Sequence, residues 1–103
     1  MKVILEGSKI KTKQDFHNQI ASLLDFGEYY GHNLDALWDR LRIDVERPVL
    51  LTWRDHLLSK QAIGEEYFQH IADIFEKIKR EDLLLHQQFR NQENPRIFDY
   101  SLE

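Results

Sequence analysis

The chain contains no cysteine. That removes disulfides, thiolate zinc sites and cysteine nucleophiles, and it fits a reducing compartment such as the cytoplasm. Two prolines and four glycines punctuate it lightly, and no repeat, low-complexity tract or interdomain linker is visible. No apolar run approaches the ~20 residues of a membrane span. The run Val3-Ile4-Leu5 ahead of Glu6 is too brief for a secretory signal. Positive charge is not in excess either: 14 Lys+Arg against 18 Asp+Glu leave −4. Holding nucleic acid needs clustered positive charge, so direct nucleic-acid binding is not expected and a basic partner suits the chain better. What is present is 42% hydrophobic and 12% aromatic residues with 31% charged, the composition of a folded domain with a solvated surface. A single domain over residues 1–103 is expected, large enough to bury roughly two thirds of its unfolded-chain surface.

Lys2 to Leu5 reads as a short strand ended by the turn pair Gly7-Ser8. Thr12 is placed to cap a helix, with Asp15 three residues on in an approximate capping box. Phe16, Ile20, Leu23 and Leu24 follow at helical spacing, and Gly27 is expected to close that helix. Glu28 to His32 has no periodicity and reads as a loop. Asn33 can cap a second helix in which Leu34, Leu37, Leu41 and Val45 form one stripe, stopped by Pro48. The near-continuous apolar run Val49 to Trp53 suits a strand covered on both faces. A long helix is expected from about Gly64, with Phe68, Ile71, Phe75 and Ile78 toward the core. Leu83-Leu84-Leu85 leave its end open, Asn94-Pro95 breaks the chain, and Ile97 to Leu102 alternates as a last strand. The order β-α-α-β-α-β predicts an α/β fold: a small three-stranded parallel sheet with helices packed on it.

The stretch from Glu28 to Asp39 departs most from what folding alone requires. On the second helix Asp35, Asp39 and Arg42 share the face opposite the leucine stripe, with Trp38 beside them. Carboxylates at i, i+4 repel by a few tenths of a kcal/mol on an isolated helix. Folding accounts for part of this, since Asp35 lies in the first turn, where the helix dipole favours negative charge, and Asp39 can pair with Arg42. Trp38 fits core packing or a binding patch. Tyr29 and Tyr30 just before the helix add the aromatic-beside-charge composition of protein interfaces. His17, His56 and His86 stand alone and read as packed or surface histidines. Glu66, His70 and Asp73 share a helical face that reads as solvated, not metal-binding.

The run Tyr29-Tyr30-Gly31-His32-Asn33-Leu34-Asp35-Ala36-Leu37-Trp38-Asp39 closely resembles the signature of the barstar family, intracellular inhibitors of bacterial ribonucleases. The resemblance extends through Ile10, Asp15 and His17, Pro48 and Leu51, Trp53-Arg54 and Ser59-Lys60-Gln61, and covers residues 1 to about 80. It implies the same fold and a cis peptide before Pro48. It also implies a loop and second helix that plug a cationic nuclease cleft, with carboxylates standing in for RNA phosphates. By position, Asp39 matches the carboxylate that enters the phosphate site, Asp35 the acid flanking it, and Tyr29, Gly31, Asn33, Leu34 and Trp38 further contacts. Arg42 lies on the same surface, and Glu76 is the candidate contact from the third helix of the family pattern, with Lys77 adjacent to it at the matching position. Asp44 replaces an aromatic of that pattern, and Arg40 a cysteine. From Glu28 to Arg47, acids at 28, 35, 39, 44 and 46 against Arg40, Arg42 and Arg47 give −2.

The expectation is therefore a monomeric, cytoplasmic, barstar-like bacterial protein without cofactor or metal. It would inhibit a nuclease toxin, a secreted barnase-like ribonuclease, by covering its active site. Two alternatives stand beside it. One is a binding module of the same fold with a non-ribonuclease partner. The other is a hydrolase using Asp35, Asp39 and His32, although no Ser-His-Asp order, phosphate loop or zinc spacing supports an enzyme.

Overall fold

The computed structural model describes residues 1–88 and 96–103. The Asn94-Pro95 break expected from the sequence lies outside them. Strand β1 (Lys2–Glu6) leads through a 3-10 turn to helix α1 (Lys13–Leu24). Helix α2 (Leu34–Asp39) continues into a π-helical turn (Arg40–Asp44), followed by strand β2 (Val49–Arg54). Helices α3 (His56–Ile63) and α4 (Glu65–Gln88) and strand β3 (Phe98–Leu102) complete the chain. The sheet order is β1-β2-β3, all parallel, with Lys2 opposite Leu50 and Val49 opposite Phe98. The fold is the expected α/β arrangement of three parallel strands with helices.

Several local signals act as read. Thr12 accepts from the Asp15 amide, and Asp15 Oδ2 accepts from the Thr12 amide in return, a complete capping box. Asn33 Oδ1 accepts from the Ala36 amide and caps α2. The Arg47–Pro48 peptide is cis.

Other elements differ from the sequence reading. Helix α1 is closed by Asp25, at φ 55°, and not by Gly27. A short polar side chain tolerates the left-handed conformation, so Asp25 turns the chain two residues early. The long helix expected from about Gly64 is present as α4, starting at Glu65, but a helix the sequence did not announce, α3, precedes it, and Gly64 at φ 95° separates the two. Leu57 and Leu58 of α3 face outward while Ser59 and Ile63 are buried, so the apolar stripe that would announce the helix is missing. The second helix widens into the π-helical turn before it ends at Asp44. Strand β2 is not covered on both faces: Leu50 is 39% exposed, as is Ile4 beside it on β1, because the helices pack on one face only.

The covered face supplies Val3, Leu5, Val49, Leu51, Trp53 and Phe98, against Phe16 and Ile20 of α1, Leu37 and Leu41 of the second helical segment, and Phe68, Ile71, Phe75 and Ile78 of α4. Trp53 sits at the centre, its ring 5.2 Å from that of Phe16 and 5.0 Å from that of Phe68. Its indole N–H donates to Ser59 Oγ at 3.0 Å, and the Ser59 hydroxyl donates to the Gly7 carbonyl at 3.1 Å. A Cβ on Gly7 would lie 2.3 Å from the carbonyl oxygens of Arg54 and Asp55, so only glycine fits where the chain leaves β1. Arg47 and Asp82 form a 2.8 Å ion pair with side chains 14% and 12% exposed. Asp82 Oδ2 also accepts from the Phe98 amide at 2.7 Å, fastening α4 to the start of β3.

Candidate functional site: the loop and second helix

The loop between α1 and α2 is held from below by aromatic side chains. Phe26 and Tyr30 are buried with rings 4.8 Å apart. The hydroxyl of Tyr30 lies 2.6 Å from His17 Nδ1, and His17 Nε2 lies 2.6 Å from the Tyr67 hydroxyl on α4. His17 is the sole hydrogen-bond partner of the Tyr30 hydroxyl among the described residues. A buried hydroxyl proton needs an acceptor, so Tyr30 donates to Nδ1. His17 then carries its proton on Nε2 and donates to Tyr67, which is near enough to the surface to pass its own proton to water. Burial, and secondarily the charge of nearby His32, lowers the His17 pKa from 6.5 to about 4. Burial raises both tyrosine pKa values. The His17 imidazole is therefore neutral at physiological pH, as the two-tyrosine clamp requires.

With Tyr30 turned inward, Tyr29 is turned outward and is 89% exposed. His32 adopts φ 53° and donates its Nδ1–H to the Tyr30 carbonyl at 2.9 Å, closing the tip of the loop. The acceptor is a carbonyl, which fixes the proton on Nδ1. Asn33 Nδ2 donates to the Gly31 carbonyl at 3.2 Å while its oxygen caps α2, so one side chain stitches loop to helix. Gly31 is closely approached: a Cβ there would meet Asn33 Nδ2 at 3.2 Å and Ala36 Cβ at 3.3 Å.

On α2, Leu34 is half-buried and Leu37 fully buried, while Asp35 and Asp39 are exposed one helical turn apart. Neither carboxylate has a hydrogen-bond or ion-pair partner among the described residues. The pairing of Asp39 with Arg42 suggested by sequence spacing does not form. Arg42 lies 3.5 Å from Glu81 of α4 and over the ring of Trp38, 5.7 Å from its centre. Arg40 pairs with Asp44 at 3.2 Å. The arginines nearest the two free aspartates are thus neutralised by other acids, and the surface that Asp35 and Asp39 present is more negative than a count along the sequence suggests. Trp38 is half-buried and packs on the core edge, with the Arg42 guanidinium over its ring.

The structure brings together Tyr29, Gly31, Asn33, Leu34, Asp35, Trp38 and Asp39 as one continuous loop-and-helix surface, with Arg42 at its far edge. Glu76 has partners of its own. It accepts from the Tyr100 hydroxyl of β3 at 2.8 Å and pairs with Arg80 at 3.3 Å. Glu81 of α4 reaches Arg42, and at about 100° per residue Glu76 lies roughly 140° around the helix from it. Burial, with the hydrogen bond to Glu76, pushes the Tyr100 pKa up to about 12. Lys77 is exposed. His56 stacks against Phe68, ring centres 5.9 Å apart. Asp73 accepts from Gln69, and no group of three His, Cys, Asp or Glu among the described residues could hold a metal ion. No helix among the described residues is long and apolar enough to cross a membrane. Tyr30, His17 and Tyr67 were not legible as a unit, because the partners are 13 and 50 residues apart. The one local signal was a histidine set into the apolar Phe16/Ile20 face.

The protein-family model "Barstar (barnase inhibitor)" matches residues 1–98. The Bacillus subtilis (strain 168) protein named "Putative ribonuclease inhibitor YrdF" is 31% identical over 80 residues, which is 78% of this chain and 87% of that relative. The loop-and-helix surface thus sits on a scaffold matched along nearly its whole length, and the chain belongs to the barstar family.

Proposed function

We propose that this chain is a ribonuclease inhibitor that seats the surface from Tyr29 to Asp39 in the active-site cleft of a secreted, barnase-like nuclease toxin. A cell making that toxin would gain immunity from it in its cytoplasm. Asp39 enters the phosphate-binding site, and Asp35 meets a flanking cation. Tyr29, Gly31, Asn33, Leu34 and Trp38 supply shape and apolar contact around them. Arg42 borders the surface with its charge held by Glu81. Glu76, committed to Tyr100, is left out of the proposed contact.

The observation that carries this reading is the pair of exposed, unpartnered carboxylates on a helix whose neighbouring arginines are already neutralised. The dipole favours Asp35 in the first turn, but the repulsion between two like charges one turn apart does not help the helix, whereas facing Arg and Lys both make short charge-assisted hydrogen bonds. The clamp beneath the loop also supports it, because a surface ordered before contact loses less entropy on binding. The chain acts as a monomer without cofactor and performs no chemistry itself.

Titrating the chain into a barnase-type ribonuclease while following RNA cleavage tests the proposal. Inhibition is expected to be complete at one equivalent. Asp39→Ala is expected to weaken it by at least ~2 kcal/mol, the general scale for a desolvated interface hot spot, to which the barnase–barstar pair itself contributed. Equal inhibition by the variant would overturn the assignment of Asp39.

A further inference from the structure

A cleft of about 340 Å³ opens beyond Arg42, between the π-helical turn, the C-terminal half of α4 and the residues leading into β3. Val45 and Leu85 form an apolar wall, and the rest of the lining is Arg42, Arg47, Asp82, His86 and Arg96. Three guanidinium groups at one cleft are unexpected in a chain of net charge −4. Their donors are only partly used. Arg47 gives Nε and Nη2 to Asp82 and Nη1 to the Val45 carbonyl, so the open donors belong to the other two. Arg96 gives Nε and Nη2 to the Arg47 carbonyl, which leaves Nη1 with no acceptor among the described residues. Arg42 approaches Glu81 only through Nε, so both of its terminal nitrogens are free to donate.

A second observation is independent of these charges. His86 Nδ1 is buried with no hydrogen-bond partner, the one such side-chain nitrogen or oxygen among the described residues. Buried polar groups are almost always paired, and in the tautomer that carries its proton on Nδ1 this nitrogen lacks an acceptor. Counting Glu81 with Asp82 against the three arginines, and His86 as neutral, the surroundings carry +1. That charge and the open donors match a tetrahedral or planar oxyanion. Guanidinium groups recognise such groups with paired N–H donors.

We propose that this cleft binds an oxyanion, a phosphate or carboxylate held by Arg42, Arg96 and His86. Arg42 connects it to the surface described above, since the same guanidinium lies over Trp38. An occupant of the cleft therefore acts directly on an edge of that surface.

The test is a titration of the full chain with inorganic phosphate at ionic strength held constant with chloride, followed by 15N NMR. The Trp38 indole N–H and the His86 imidazole are expected to shift together and saturate in the millimolar range. His86→Leu removes no hydrogen bond made in the free protein, so it is expected to fold, and it should weaken phosphate at least fivefold. Arg96→Gln should do the same, while Lys9→Gln, which removes a positive charge elsewhere, should leave the titration unchanged. No saturable shift, or a titration that survives in both cleft variants, would overturn the proposal. The source of the anion is read from affinity for the ribonuclease. Weakening by His86→Leu identifies an acidic side chain of the bound nuclease as the occupant, and unchanged affinity identifies a free phosphate. The phosphate titration needs no nuclease, so it stands or falls separately from the inhibitor reading.

Discussion

Acid should weaken this fold through His17. The perturbation is a fall in pH from about 7.5 to 4.5, applied to the wild-type chain and to His17→Gln. His17 is almost fully buried between Tyr30 and Tyr67, and its pKa is lowered from 6.5 to about 4 by burial and by His32. The folded pKa lies below the unfolded one, so the unfolded chain takes up the proton first. Stability is untouched above pH 6.5, declines between 6.5 and about 4, and loses nothing more from this group below that. Integrated between the two pH values, the loss is about 2.5 kcal/mol, a large share of a typical domain stability of ~5–15 kcal/mol. Carboxylates protonate over part of the same range, so the variant serves as the reference. Glutamine keeps one acceptor for Tyr30 and one donor for Tyr67 but does not titrate, and any fixed cost of the replacement cancels in the comparison. Urea unfolding followed by near-ultraviolet circular dichroism measures both chains at both pH values. The wild type is expected to lose about 2.5 kcal/mol more than His17→Gln. Equal losses would refute a His17 held neutral by the tyrosine clamp.

Three further outcomes follow from the geometry. Ser59→Ala strands the buried Trp53 indole N–H, while the Gly7 carbonyl keeps the Ile10 amide as donor, and should cost about 1–3 kcal/mol in urea unfolding. Asp82→Ala leaves the Arg47 guanidinium buried without its carboxylate and the Phe98 amide without its acceptor. A loss of about 3–5 kcal/mol is expected by the same measurement, on the scale of breaking a buried pair from one side. Raising salt should slow association with the target ribonuclease far more than it speeds dissociation in stopped-flow mixing, because long-range attraction is screened while desolvated contacts are not.

What the sequence reveals of this fold is what local physics controls. The Thr12/Asp15 box and the Asn33 cap each act within three residues, and the strands carry the apolar runs that parallel sheets require. The signature from Tyr29 to Asp39 is contiguous, so most of the candidate surface could be read directly. What escaped depends on contacts remote in sequence or on compensation between neighbours. Helix α3 hides its identity because a serine bonded to Trp53 fills a core position while Leu57 and Leu58 face water. Leu50 looks like a core residue until the sheet is seen to be covered on one side only. Arg42 answers to Glu81 and not to Asp39, a partnership decided by how α4 crosses the π-helical turn. Glu76 is claimed by a tyrosine 24 residues later. None of these partners is signalled by composition or periodicity.

The parallel sheet also constrains how the chain can come apart. Lys2 pairs with Leu50 and Val49 with Phe98, separations of 48 and 49 residues, so no two strands are joined by a short turn. Closing either pair means fixing nearly half the chain at once, and the entropy of that closure is recovered only when the intervening helices have packed. Neither half holds a strand pair that could persist alone. A single backbone cut at the exposed Tyr29 would turn the β1–β2 pairing into an association between two fragments, and retention of the sheet would then depend on their concentration.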